Sequence, residues 1–353
     1  MCIRDSIGII EVKSGQNKPY VLSGAIYVRL GSNTQKLTTA EEMRDFFQQS
    51  DKIYFDEMPC AGFDIETDID ENFVHEFRAE ASISVSISDE HLLQNLRLFT
   101  DEGRFKSGAT LFFGRNPETH YDLATVRCIA YNGTNKRYII DDKTYTGPLY
   151  SQYKQALTWL KGKLDIIYDI EGAGSGPRIE TWEIPETVLK EALVNALSHR
   201  DYYDRGNRIN VELFLDRIEI TNPGGLVSAI PEAEFGKKSY SRNPLIFGLF
   251  EKMRMVEHIG SGITRMRELM DEAGLPQPIF QYSGMFAVTF YRPVDFEKWI
   301  NDWKEELSEN RLAILKEMHH NKVVTKRELE RTIGISDTAI DNNIEYLKNN
   351  GFL

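Results

Sequence analysis

Three stretches hold residues whose types and spacing could do chemistry. Between Lys190 and Ser198 an apolar helix pattern is broken only by Glu191 and Asn195, four apart and so stacked on one face. A carboxylate and an amide on a largely buried helix cost free energy unless paired. One reading is a cap or a core hydrogen bond. The other is a metal–phosphate site, in which Asn195 offers an oxygen to Mg²⁺ and Glu191 orients or deprotonates an attacking water. The second stretch, Glu219-Ile220-Thr221-Asn222-Pro223-Gly224-Gly225-Leu226, runs a strand into a Pro-Gly turn. It is either a plain β-turn or a loop whose glycines let a base ring approach the backbone, with Asn222 on the adenine edge. The third, His258-Ile259-Gly260-Ser261-Gly262-Ile263-Thr264, puts glycines at a helix start. Exposed N–H groups at that positive end would hold an anion, although glycine before a helix is also ordinary.

The elements that must position these residues follow from periodicity and punctuation. Pro185 opens the first helix, which runs to about His199. Asn210–Leu215 and Ile218–Asn222 alternate and meet at Asp216-Arg217, as in a hairpin. Asn243-Pro244 opens a second helix, Ile263–Ala273 forms a third stopped by Gly274 and Pro276, and Met285–Tyr291 is a closing strand. Helix, hairpin, helix and strand in this order predict an α/β sandwich over residues 181–300. Upstream, residues 61–170 read as an α/β connecting region. Its helices are Glu90–Phe99 and Tyr150–Leu164, and its strands Ser107–Phe113, Ala124–Tyr131 and Arg137–Ile140. Residues 171–180, with Gly172, Gly174 and Gly176, read as a linker, because they lack the GxxxxGK[ST] phosphate loop.

Residues 1–60 offer strands at Gly8–Ser14 and Gly24–Leu30 and a helix opened by the capping box Thr39-Ala40-Glu41-Glu42. These are too few to bury a core and read as the end of a larger module, with residues 1–6 a non-native scar. Residues 301–353 give three short helices. A second capping box at Thr325–Glu328, a turn at Gly334-Ile335 and a Ser336 cap match a helix-turn-helix whose wing is missing.

Composition bounds the function. The 353 residues are 41% hydrophobic and 27% charged, and 42 Lys+Arg against 54 Asp+Glu leave a net charge of −12. That balance opposes whole-surface nucleic-acid binding, which needs a basic face. No long apolar run marks a membrane span and no secretion signal is visible. Cys2, Cys60 and Cys128 are too scattered for a zinc site or a disulfide framework, so the expected setting is cytoplasmic. His75, His91 and His120 are isolated and read as ordinary polar or core residues. His199-Arg200-Asp201 resembles a kinase catalytic loop, but Gly206 stands where the asparagine would be. His199 reads instead as a cation ending its helix, where the dipole favours it.

Taken together, EALVNALSHRDY, DRIEITNPGGL, SRNPLIFGLF and HIGSGITRMRELM resemble the GHKL-type (Bergerat-fold) ATPase domain. The likeness is to the branch in transcriptional regulators that carry an N-terminal Schlafen AlbA_2 domain and a C-terminal winged helix-turn-helix. It implies an α/β multidomain chain that binds ATP and Mg²⁺. Its N-box falls on Glu191 and Asn195, its first glycine box on Asn222, Gly224 and Gly225, and its second on Gly260, Ser261 and Gly262. A lid from Leu226 to Asn243 would bring Lys237, Lys238 and Arg242 to phosphates. The family usually has Asp where this chain has Asn222, a neutral side chain that still accepts a hydrogen bond.

The implied function is a nucleotide-responsive transcriptional regulator that binds double-stranded DNA. The alternative is an ATPase of a defence or DNA-processing system that uses its helix-turn-helix for protein docking. Thr338, Asn342 and Asn343 could read base edges. Residues 307–353 nonetheless carry seven basic and seven acidic side chains, and the last helix holds Asp337, Asp341 and Glu345 against Lys348. A protein-interaction role, a homodimer included, stands beside the DNA reading. No membrane partner is expected.

Overall fold

The computed structural model describes residues 21–30, 33–39, 42–43, 46–47, 54–169, 179–227, 234–237, 240–256, 262–293, 296, 300, 303–304, 306–321, 324–350 and 352. The expected strand at Gly8–Ser14 and the glycine run at 171–177 lie outside them. The chain is a mixed α/β protein in two compact units, residues 1–54 and 55–353.

The first unit holds a three-stranded antiparallel sheet of β1 (Val21–Leu22), β2 (Ala25–Leu30) and β3 (Asn33–Lys36). Ser23 and Gly24 both take positive φ, 51° and 74°, which makes the tight β1–β2 reversal. The expected capping box is reciprocal: Thr39 Oγ1 accepts from the Glu42 N–H at 3.0 Å, and the Glu42 carboxylate accepts from the Thr39 N–H at 3.1 Å.

The second unit opens with helices α1 (Ile65–Asp68), α2 (Glu71–Glu80), α3 (Asp89–Asn95) and α4 (Ser107–Phe113). Next come β4 (Val126–Tyr131), β5 (Ile139–Tyr145), α5 (Leu149–Lys161) and the antiparallel pair β6 (Ile166–Asp169) and β7 (Ile179–Trp182). Helix α6 (Glu186–His199) leads to β8 (Ile209–Leu213), β9 (Arg217–Pro223), α7 (Pro244–Lys252) and α8 (Gly262–Glu272). The hairpin β10 (Ile279–Gln281) and β11 (Met285–Tyr291) follows. One six-stranded sheet runs β10-β11-β9-β8-β4-β5, antiparallel except for the β4–β8 pair. Helix α5 packs on β4 and β5, α6 packs on β9, and α6 touches α5, α7 and α8. Residues 61–170 and 181–300, read from sequence as separate regions, therefore share a sheet and a hydrophobic core.

Several expected elements change. Ser107–Phe113 is helix α4, not a strand, and all seven residues are buried. A fully buried apolar run has no polar face to reveal its period, so alternation could not be told from helix. The strand expected at Arg137–Ile140 begins at Ile139 and continues to Tyr145, through two aspartates that have partners. Asp141 accepts from Trp159 Nε1 at 3.0 Å and pairs with Lys163, while Asp142 takes the Arg127 guanidinium. Helix α3 stops at Asn95, and Arg97 turns back with φ 58°. Part of the expected linker is strand, since β7 begins at Ile179.

The last three helices are α9 (Glu309–His320), α10 (Lys326–Ile333) and α11 (Asp337–Asn349). They bury Ile314, Leu315 and Leu347 with Ile300 and Leu307 in a cluster of their own. The Thr325–Glu328 capping box is present, Gly334 adopts the left-handed conformation at φ 77° and Ser336 caps α11.

Arg200 is a structural clamp rather than part of a catalytic loop. Its side chain is 2% exposed and donates to the carbonyls of Leu123, Asp201, Asp204 and Asn207 at 2.7–3.3 Å. Arg200→Ala strands those carbonyls and empties a buried site. Urea unfolding is expected to show a loss of about 3 kcal/mol, and a change below about 0.5 kcal/mol would contradict the clamp.

Candidate functional site

A pocket opens between α6, the end of β9, the loop that follows it, and the starts of α7 and α8. Helix α6 presents Glu191, Asn195 and His199 to it, a stripe at every fourth residue, while Ala192, Leu193, Ala196 and Leu197 are buried. The base is apolar: Ile220, Phe247, Met266 and Val288 line it. Phe235, Phe280 and Phe286 stand against one another with ring centroids 5.3–6.2 Å apart on another wall.

Glu191 and Asn195 are joined: Asn195 Nδ2 donates to Glu191 Oε1 at 3.0 Å, which leaves the Asn195 amide oxygen as its remaining acceptor. The same carboxylate rests against Gly262, the first residue of α8, and a Cβ built there would fall on Glu191. A side chain at this position would require the Glu191 carboxylate to move aside, while the backbone conformation itself is ordinary. Gly260 and Ser261 lie outside the described residues.

Asn222 is 2% exposed at the end of β9 and is the polar group set among the apolar wall residues. Its Nδ2 donates to the Pro223 carbonyl at 3.2 Å. Gly224 follows with φ 95°, backbone that disfavours any side chain, and a Cβ there would press on Asp201 and Arg242. At Gly225 a Cβ would strike the Tyr282 carbonyl.

The expected lid residues separate. Lys237 is exposed on a turn beside the pocket and does not line it, and Lys238 lies outside the described residues. Arg242 is not on an exposed lid. It is 5% exposed beneath the glycine loop, where Nη2 donates to the Gly225 carbonyl at 2.9 Å and Nη1 lies 3.9 Å from Asp201 Oδ2. It lines the pocket, and its guanidinium also bonds to the glycine loop.

One pocket residue, His199, and one residue at the head of α7, Asn243, escaped the sequence reading in role. Asn243 donates through Nδ2 to the Ser198 carbonyl at 2.8 Å and the Arg200 carbonyl at 2.9 Å, tying the start of α7 to the end of α6. His199 was expected as a helix-ending cation. Desolvation, with Arg242 adding repulsion, pushes its pKa down to about 4, so it is neutral at neutral pH. Its place eight residues after Glu191, on the same face, was the available signal.

Among the described residues no group of three His, Cys, Asp or Glu side chains could hold a metal ion. Glu191 and Asn195 supply two oxygen donors on one helix face, a set that suits a cation arriving with its own phosphate ligands. In the last helix Thr338 and Asn342 are exposed. Asn343 is turned inward: Oδ1 accepts from Arg311 Nε at 3.2 Å and Nδ2 donates to the Ala339 carbonyl at 2.8 Å. Asp337, Asp341 and Glu345 are exposed on α11, with Asp341 paired to Lys326. No described helix is long and apolar enough to cross a membrane.

With this geometry in place, comparison with known proteins adds three findings. Residues 206–290, from just before β8 into β11, match the family model HATPase_c_4, described as "Putative ATP-dependent DNA helicase recG C-terminal". This segment is ATPase-like, and it holds Asn222 and the glycine positions, while Glu191 and Asn195 lie upstream of it. The fold is similar to the crystal structure of the DIP2311 protein from Corynebacterium diphtheriae, with a TM-score of 0.58 and 17% identity. That likeness covers 92% of this chain and 66% of that one, just under two thirds of its length. No curated protein matches the chain.

The neutral imidazole gives a pH test. His199 titrates lower in the folded protein than its ordinary 6.5, so the stability it permits is full above about pH 6.5. That stability is lost as pH falls toward 4. Relative to His199→Gln, the wild-type protein is expected to lose up to about 3 kcal/mol across that interval. Urea unfolding at stepped pH measures the difference, and parallel curves would contradict it.

Proposed function

We propose that this chain is a nucleotide-responsive regulator that binds ATP in the pocket between α6, β9 and α8. One observation carries the reading: a carboxylate–amide pair, a glycine loop and a helix start converge on an apolar cavity with one buried amide. The apolar walls suit a purine, and the Asn222 amide suits its polar edge. The N–H groups that open α8 suit phosphates. Asn195, beside Glu191, would hold Mg²⁺, which would spread the phosphate charge. Bound ATP would draw the loop after Gly225 and the start of α8 together, and the terminal helices would report that change.

The ATPase-like match over residues 206–290 supports nucleotide binding. The helix pair around Gly334 supports a helix-turn-helix output to double-stranded DNA, with Thr338 and Asn342 as the base-reading side chains. A second reading is favoured by the exposed acids of α11, which repel phosphate and suit a basic protein partner or a second copy of the chain. There the protein is an ATPase of a defence or DNA-processing system. In it, Glu191 takes the proton of the attacking water and the terminal helices dock to protein.

Thermal unfolding with and without Mg²⁺-ATP tests the shared premise. ATP at a hundredfold its Kd is expected to add about 2.7 kcal/mol, and no shift at millimolar ATP would sink both readings. Phosphate release then separates them. If Glu191→Ala abolishes turnover while ATP still binds, the ATPase reading stands. If wild type and variant both release no phosphate, the protein senses ATP without consuming it.

A further inference from the structure

The amino end of α7 poses a capping problem that the sequence does not reveal. Asn243 occupies the N-cap position, where its side chain would ordinarily accept the first free N–H groups of the helix. It makes no such bond; its side chain is turned instead so that Nδ2 donates to the Ser198 and Arg200 carbonyls at the end of α6. Those N–H groups are taken by a residue 189 positions earlier. Asp56 Oδ2 accepts from Leu245 N at 2.7 Å and Ile246 N at 3.1 Å.

Asp56 is wholly buried, and Gly108 of α4 packs so closely on it that a Cβ there would collide. Among the described residues its Oδ1 has no hydrogen-bond partner. Burial raises the pKa of this carboxyl to about 7 against the two amides, with Glu57 adding to the rise. A buried carboxylate held at such cost is poor value for stability alone. Asp56 belongs to a short 3₁₀ turn, Phe55–Glu57, that grips both sides of the pocket wall. Phe55 stacks on Tyr202, in the loop after α6, with centroids 5.6 Å apart. Asp56 holds α7, whose Phe247 faces the cavity and whose preceding Arg242 supports the Gly225 carbonyl.

We propose that Asp56 is a positioning residue for the nucleotide pocket, acting through α7. It fixes the helix that carries Phe247 and, through Arg242 and Asn243, sets the glycine loop against the end of α6. The inference rests on the ATP reading of that pocket.

Titrating Mg²⁺-ATP into the full chain by calorimetry tests it, with Asp56→Asn and Glu57→Gln as a matched pair. Both replace a carboxyl by an amide, and Glu57 sits one residue away, paired with Lys106. Asp56→Asn is expected to bind ATP at least fivefold more weakly, because a neutral amide oxygen holds the Leu245 and Ile246 N–H groups less firmly than a carboxylate, while unfolding at no lower urea concentration, because the desolvation cost of the carboxylate is gone. Glu57→Gln is expected to bind within twofold of wild type. Unchanged affinity in folded Asp56→Asn would overturn the proposal, as would an equal loss in both variants. Should Asp56→Asn not fold, amide exchange in the wild type decides. Binding and positioning are reciprocal, so ATP is expected to slow exchange at Leu245 and Ile246, and unchanged rates would overturn the role. A wild type that binds no ATP would instead remove the pocket reading itself. Weak binding confined to Asp56→Asn would leave that reading intact.

Discussion

The candidate site depends on the junction of Arg242 and Asn243, two buried residues at the head of α7. Asn243 is 1% exposed and bonds to two carbonyls left over at the end of α6, and Arg242 bonds to the carbonyl of Gly225. Helix ends leave their last carbonyls without partners inside the helix. Here those orphan groups become the attachment points for a second helix. Three walls of the pocket thereby meet in two adjacent side chains. The arrangement costs α7 its own cap, and the repayment comes from Asp56, far away in sequence.

That junction also sorts the pocket by charge. Arg242 is a cation turned into the protein, and it helps to keep His199 neutral. Both line the cavity, whose remaining wall at this end is mainly aromatic and aliphatic, with Tyr240 and the buried Asn222 amide. At the other end, Glu191 and Asn195 meet the glycine start of α8. Under the proposed reading, the apolar end with the Asn222 amide would take the base and the polar end with the oxygen donors of Glu191 and Asn195 would take the phosphates and their cation. Adding a methyl group at Gly225 would disturb this, because the Tyr282 carbonyl already fills the space, and one at Gly262 would push the Glu191 carboxylate aside.

Much of the site was legible in sequence because it is local. Glu191, Asn195 and His199 share a face by helical spacing, and Asn222-Pro223-Gly224-Gly225 reads as a strand end and turn. The capping boxes at Thr39 and Thr325 were equally visible, since both partners lie within four residues. What could not be read is non-local. Arg242 looks like a lid cation until the fold buries it against Asp201, and Asn243 looks like a helix cap until α6 claims its side chain. Asn343 looks free to read a base until Arg311 occupies it. The strand mistaken at Ser107–Phe113 failed for another reason: seven buried residues in a row carry no period. Likewise, pairing in register across Cys128 and Val211 joins two regions that composition had separated.

The most direct measurement is photo-crosslinking of the full chain with 8-azido-ATP and Mg²⁺, with the adduct mapped by mass spectrometry. Labelling is expected on peptides spanning Ile220–Val227 or Phe280–Val288, and excess unlabelled ATP should abolish it. Labelling confined to the opposite face of the sheet, at Asn210, Glu212 or Thr221, or labelling that unlabelled ATP does not compete away, would contradict a nucleotide site between α6, β9 and α8.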